Sequence, residues 1–240
     1  KIYNMKFIDG GQQFVKVTQD NNAYADRGLL ACSYFDMTSA GRTFVENHPE
    51  PLQPPPTPNC YTGGLDAHST YQMVIRDNEI RNMYCNNGAL SEHGIHLWKN
   101  NQDPIIERNI VINNARGIGV GLDNQVEDRV YQNNPLQGTG FANNTVDHVG
   151  GVIRNNIVYA NIGTLYDTGI GLERAYNVSV YHNTVYSEQN SGLNSGIDLR
   201  FVQTANTRVA NNLIRPGMTI RNSAPSPVLN VDNVFAQSTM

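Results

Sequence analysis

The chain has 240 residues, only 16% of them charged, with a formal net charge of −4. That balance excludes a basic nucleic-acid-binding surface, and no apolar run approaches the roughly 18 residues a membrane span needs. Three cysteines are too few for a disulfide scaffold.

Along the chain two short phrases alternate. The first reads apolar, two variable positions, Asn, one variable position, apolar. Degraded copies stand at Ile2…Met5…Phe7 and Leu30…Ser33…Phe35. Full copies follow at Ile75…Asn78…Ile80, Ile106…Asn109…Val111, Ile153…Asn156…Val158, Val180…Asn183…Val185 and Val209…Asn212…Ile214, and a last degraded one at Asn230…Asn233…Phe235. The second phrase reads Gly, apolar, variable, apolar. Val15-Lys16-Val17 opens that series, Gly64-Leu65-Asp66-Ala67 is a weaker copy, and the rest begin at Gly94, Gly117, Gly169, Gly196 and Gly217.

Alternating apolar positions with β-branched residues make each phrase a short strand. The spacing of the asparagines is too irregular for hairpins, and no helical segment separates the phrases. Such strands stack in parallel only if the chain coils into a solenoid, each coil resting on its neighbours. The expectation is an all-β parallel solenoid of about seven to eight coils, one domain over residues 1–240. Inward asparagines at the bends should form a ladder from coil to coil. The two-phrase repeat resembles the right-handed parallel β-helix, the pectate-lyase-like fold, over nearly the whole chain.

Two insertions interrupt the coils. Residues 36–62 are rich in proline, and residues 123–150 are polar with two Asn-Asn pairs. Insertions in a solenoid become side loops, often beside a binding face. Cys60 and Cys85 lie in turns before the second phrase of successive coils, so a bridge between them would pin the first loop and leave Cys32 unpaired. Such a bridge fits the periplasm or the cell exterior. The chain begins inside a strand phrase and ends after an incomplete one, which suggests a segment of a longer protein whose uncapped ends pair with other chains.

Strand parity separates inward from outward positions in the second phrase. One outward column runs Lys16, Asp66, His96, Gly119, Gly171, Asp198, Thr219. The next runs His68, Trp98, Gly121, Glu173, Arg200, Arg221. Asp66, His68, His96 and Trp98 concentrate the chemistry in two adjacent coils. Gly119 and Gly121 above them suggest a floor without side chains on which a ligand can lie, and Trp98 offers a sugar-stacking face.

The run Gly64-Leu65-Asp66-Ala67-His68, then Val74-Ile75-Arg76-Asp77-Asn78, then His93-Gly94-Ile95, is similar to the signature of mannuronan C5-epimerases, parallel β-helix enzymes that act on alginate. The resemblance implies that Asp66 and His68 are the catalytic Asp and His. It also matches His93 to the family's His before Gly-Ile, and Lys99 to a carboxylate-neutralising cation. Ala67 stands in place of the family's Pro, Ser69 in place of an acidic residue, and the nearest tyrosine is Tyr61. The chemistry implied is abstraction of the C5 proton of a uronate, leading to epimerisation or elimination. His68 would be the base, Asp66 its orienting partner, and Tyr61 or His96 the acid.

No metal is expected, because no HExxH or CxxC spacing occurs and outward strand residues diverge. Glu173 and Asp198 are the residues that could assist with calcium or act as the carboxylate pair of a hydrolase, while Arg200 beside them points to an ion pair instead. Together with Arg200 they are also candidate substrate contacts. The partner expected is an anionic polysaccharide. The alternative is a solenoid that only grips a glycan or serves as a surface structure.

Overall fold

The computed structural model describes residues 1–21, 23–48, 60–122, 129–188, 195–229 and 232–236. Three-residue strands with one buried central side chain dominate it, because almost every strand ends at a residue with a left-handed backbone. Before the ladder asparagines that residue is Asp77, Arg108, Asn155, His182 or Asn211, with φ between 53° and 57°. Each such kink turns the chain sharply and hands it to the next sheet.

The strands form four sheets, and every pairing between them is parallel. The first sheet has eight strands, from Ile2–Tyr3 through Val74–Arg76 and Ile105–Glu107 to Val228–Leu229. The second has eight, from Lys6–Ile8 through Glu79–Arg81 and Ile110–Ile112 to Val234–Phe235. The third has seven longer strands: Gln13–Val17, Gly63–His68, His93–Lys99, Arg116–Gly121, Thr168–Glu173, Ser195–Arg200 and Met218–Arg221. The chain visits these sheets in the same order on each pass, and each strand pairs with its counterparts from the passes before and after. A fourth sheet of three short strands, Asn101–Gln102, His148–Val149 and Ala175–Tyr176, lies between the third sheet and the next pass of the first.

The apolar positions of both phrases meet in one core. Ile75, Ile106 and Val180 from the first sheet, Ile80, Val111 and Val185 from the second, and Leu65, Ile95, Leu97 and Ile118 from the third are all essentially inaccessible. Glycine at the head of the second phrase is required by close packing: a Cβ on Gly117 would stand 2.4 Å from the Gly169 carbonyl oxygen and 2.7 Å from Val158.

The expected asparagine ladder is present. The Nδ2 of Asn78 donates to Oδ1 of Asn109 and to the carbonyl of Leu30, and the backbone N–H of Asn78 donates to that same Oδ1. The pattern repeats from Asn109 to Asn156, Asn183, Asn212 and Asn233. Ser33 serves in the degraded copy, its N–H donating to Asn78 and its hydroxyl accepting from Met5.

The first insertion differs from the plain loop expected. The strand Tyr34–Asp36 runs into it, and Ser39–Asn47 is an α-helix capped by Thr38, which accepts from the N–H of Gly41. Arg42 anchors the helix, donating to the carbonyls of Met37, Asn82 and Tyr84 and stacking over the Tyr84 ring. Six prolines of this insertion, at 49, 51, 54, 55, 56 and 58, lie outside the described residues. Cys60 and Cys85 form the bridge, their Cα atoms 6.0 Å apart, and Cys32 is unpaired and exposed. Of the second insertion, residues 129–150 are described; Tyr131, Leu136, Val146 and Val149 make a separate small core against the fourth sheet. Among the described residues no helix is long and apolar enough to cross a membrane.

Candidate functional site

The second and third strands of the third sheet, Gly63–His68 and His93–Lys99, carry the chemically unusual residues. The first outward column keeps its expected register: Lys16 pairs with Asp66, Asp66 with His96, His96 with Gly119, and Gly119 with Gly171. The second is corrected by a bulge. Between Ala67 and His68 the register shifts, so His68 stands opposite Lys99 and not Trp98. The extra residue is absorbed at Trp98, whose ring tilts against that of His68 at 4.7 Å. The shift brings Lys99 into line with the outward positions that strict alternation denied it.

These side chains point away from the core, yet they are not solvent-facing as parity suggested. Asp66 and His96 are each 3% exposed and His68 is 6% exposed. Asp66 Oδ2 lies 2.9 Å from His68 Nε2 and 3.1 Å from Lys16 Nζ. Burial works against the carboxylate's charge, but the hydrogen bond from His68 and the charges of His68, His96 and Lys16 outweigh it, holding Asp66 below the usual carboxylate range.

A pocket of about 340 Å³ opens over this face, lined by Tyr61, Asp66, Glu92, His96, Trp98 and Leu122. Tyr61 is at the root of the first insertion and accepts a hydrogen bond from Gln13 Nε2. Leu122, at the root of the second, has a left-handed backbone with φ of 106°, an unfavourable conformation for a branched side chain. The two insertion roots therefore meet at this pocket.

Beneath it lies a cluster that strand parity did not reveal. His96 contacts Glu92 Oε2 through Nδ1 at 3.1 Å and the Gly121 carbonyl through Nε2 at 3.1 Å. The His93 ring lies tilted against that of His96 with the centroids 4.2 Å apart, and its Nδ1 lies 3.7 Å from Glu92 Oε2. Glu92, His93 and His96 together could hold a metal ion, contrary to the divergence expected of outward residues. Glu92 precedes the strand, so alternation gave no signal for it. Burial opposes its charge, but the hydrogen bond from His96 and the charges of His96 and Arg116 outweigh burial and hold the carboxyl well below its usual range. Burial, with the charges of His96 and Arg116, pushes His93 down to about 3, so its ring is neutral.

The glycines next to these residues do not form a ligand floor. A Cβ on Gly119 would lie 2.4 Å from His93 Nε2, so the space above Gly119 belongs to the His93 ring. Gly121 has φ of 85°, and a Cβ there would collide with the Glu173 carbonyl. Farther along the column Glu173 pairs with Arg200 at 3.0 Å and Asp198 with Arg221 at 2.7 Å. Neither pair lines the pocket, and burial raises the Glu173 carboxyl.

Comparison with protein-family models, curated proteins and solved structures returned no match.

Proposed function

We propose that the stacked passes form one right-handed parallel β-helix of the pectate-lyase-like kind, located in the periplasm or outside the cell. Its pocket acts on a uronate-containing polysaccharide by abstracting the C5 proton. The observation that carries this reading is the hydrogen-bonded Asp66–His68 pair beside the pocket that Trp98 lines.

With Nε2–H of His68 directed at an ionised Asp66, the neutral ring keeps its lone pair on Nδ1. That nitrogen takes the C5 proton, and Asp66 orients the ring and stabilises the imidazolium that forms. The intermediate would be a dianion unless the sugar carboxylate is neutralised, and Lys99, in register with His68, supplies that charge. Tyr61 on the pocket wall supplies the second proton. Delivered to C5 on the opposite ring face, it inverts the centre; delivered to O4 as the C4–O4 bond breaks, it leaves a C4=C5 double bond. Solvent then reprotonates Tyr61 and removes the proton from His68. Tyr61 is preferred to His96 as the acid because both nitrogens of His96 are engaged.

The test is incubation of the purified protein with alginate, pectate and hyaluronan, following ultraviolet absorbance for the unsaturated product and proton NMR for C5 inversion. One polymer is expected to yield one of these products, and His68→Ala to slow it by about 10³-fold or more. Tight binding by wild type with neither product would instead favour a glycan-gripping surface.

A further inference from the structure

The geometry points to a binding site for a divalent first-row transition-metal ion, held by Glu92, His93 and His96 at the base of the pocket. A carbonyl only accepts, so the contact with Gly121 places a hydrogen on His96 Nε2. When that ring carries no second proton, its Nδ1 presents a lone pair to Glu92 Oε2, 3.1 Å away. Two acceptors facing each other need a cation between them. A proton would satisfy that pair alone and leave His93 unexplained. His93 is 3% exposed, and its Nδ1 has no hydrogen-bond partner among the described residues. That nitrogen faces the same Glu92 oxygen at 3.7 Å, too far for a hydrogen bond.

An ion touching all three residues satisfies every one of these atoms. The three donor atoms lie within 4.8 Å of one another, and donors around a tetrahedral zinc are about 3.3 Å apart for bonds near 2.0–2.1 Å. The surroundings are those of a metal site. His96 donates its distal N–H to a backbone carbonyl, the arrangement that fixes a ligating ring. Arg116, 3.7 Å from the other oxygen of Glu92, leaves Oε2 for the ion. Gly119 leaves room for the His93 ring. Two imidazoles and one carboxylate suit zinc and its neighbours and do not suit calcium, which takes six or more oxygens. Glu92 and His96 also line the pocket, so the position left open by three protein donors faces an incoming ligand. None of this depends on the reaction proposed above.

The experiment is zinc titration of chelator-stripped protein by isothermal calorimetry, with metal content measured after gel filtration. Wild type is expected to retain one zinc per chain in the presence of excess calcium. Glu92→Gln and His93→Ala are each expected to weaken binding at least about 100-fold. Glu92→Gln is nearly isosteric, and an unchanged circular-dichroism melt of its metal-free form separates lost ligation from lost folding. His68→Ala, outside the cluster, should keep the full zinc content whether or not any polyuronate is turned over. The site is overturned if wild type binds no zinc above the buffer blank, if both ligand variants bind as tightly as wild type, or if His68→Ala also loses the ion.

Discussion

Asp66 is ionised although buried, because His68 and Lys16 sit on its oxygens. Its folded pKa is depressed, so the stability it contributes is present above the ordinary carboxylate range and is lost as pH falls through the folded value. In the proposed reaction, Asp66→Asn removes the charge that fixes the His68 tautomer, and turnover of whichever polyuronate is accepted should fall by about 10²–10⁴-fold with substrate binding much less affected; steady-state kinetics separates the two. His148 shifts stability in the same direction, but over a higher pH range. It is fully buried, its Nε2–H donates to the Gly150 carbonyl, and its Nδ1 has no hydrogen-bond partner among the described residues. Burial lowers it from 6.5 to about 4. Between those values the unfolded chain binds the extra proton, so wild type loses stability as pH falls from about 6.5 towards 4, by up to about 3 kcal/mol from this group. Denaturant unfolding of wild type and His148→Gln across that range should show a shallower pH slope in the variant. Single residues were the hardest scale to read from sequence. Parity placed Asp66, His68 and His96 on one face, but it could not foresee the bulge that replaces Trp98 with Lys99 opposite His68, nor Glu92, which belongs to no strand.

At the scale of elements, the asparagine ladder holds the first two sheets in register. Asn156→Ala takes the shared acceptor from both the N–H and the side chain of Asn109 and the donor from the Ile106 carbonyl. All of these are buried, and the loss should be about 3 kcal/mol in chemical denaturation. Asn233→Ala, at the less buried end of the ladder, should cost about 1 kcal/mol. The ladder and the core were legible because both follow from a two-residue period and a repeated bend. The helix Ser39–Asn47 was not: the prolines that follow it dominate the composition of that segment, and the short capping signal at Thr38 lies within a stretch read as a loop. The fourth sheet leaves no signature in the sequence, since two-residue strands such as Asn101–Gln102 are too short to show a period.

Across the whole molecule, repetition sets the shape and two departures from it shape the pocket. The Cys60–Cys85 bridge ties the end of the first insertion to the next pass, just before Tyr61 reaches the pocket. With the cysteines 25 positions apart in sequence, reduction or a Cys60→Ser, Cys85→Ser double variant should destabilise the chain by about 2–4 kcal/mol, read from the shift in denaturant midpoint. Sequence spacing brings these cysteines to adjacent turns, and both are buried in the main core. The chemistry is the part that repetition cannot encode, because it depends on the few places where the repeat is broken.

The claim that this pocket abstracts a C5 proton is tested most directly by proton NMR of alginate and pectate incubated in deuterated buffer with wild type and with His68→Ala. With wild type, the H5 signal of one polymer should disappear through deuterium wash-in, or a vinylic H4 signal should grow, and His68→Ala should leave the spectrum unchanged over the same time. Unaltered spectra with wild type, or equal change with His68→Ala, would contradict the account.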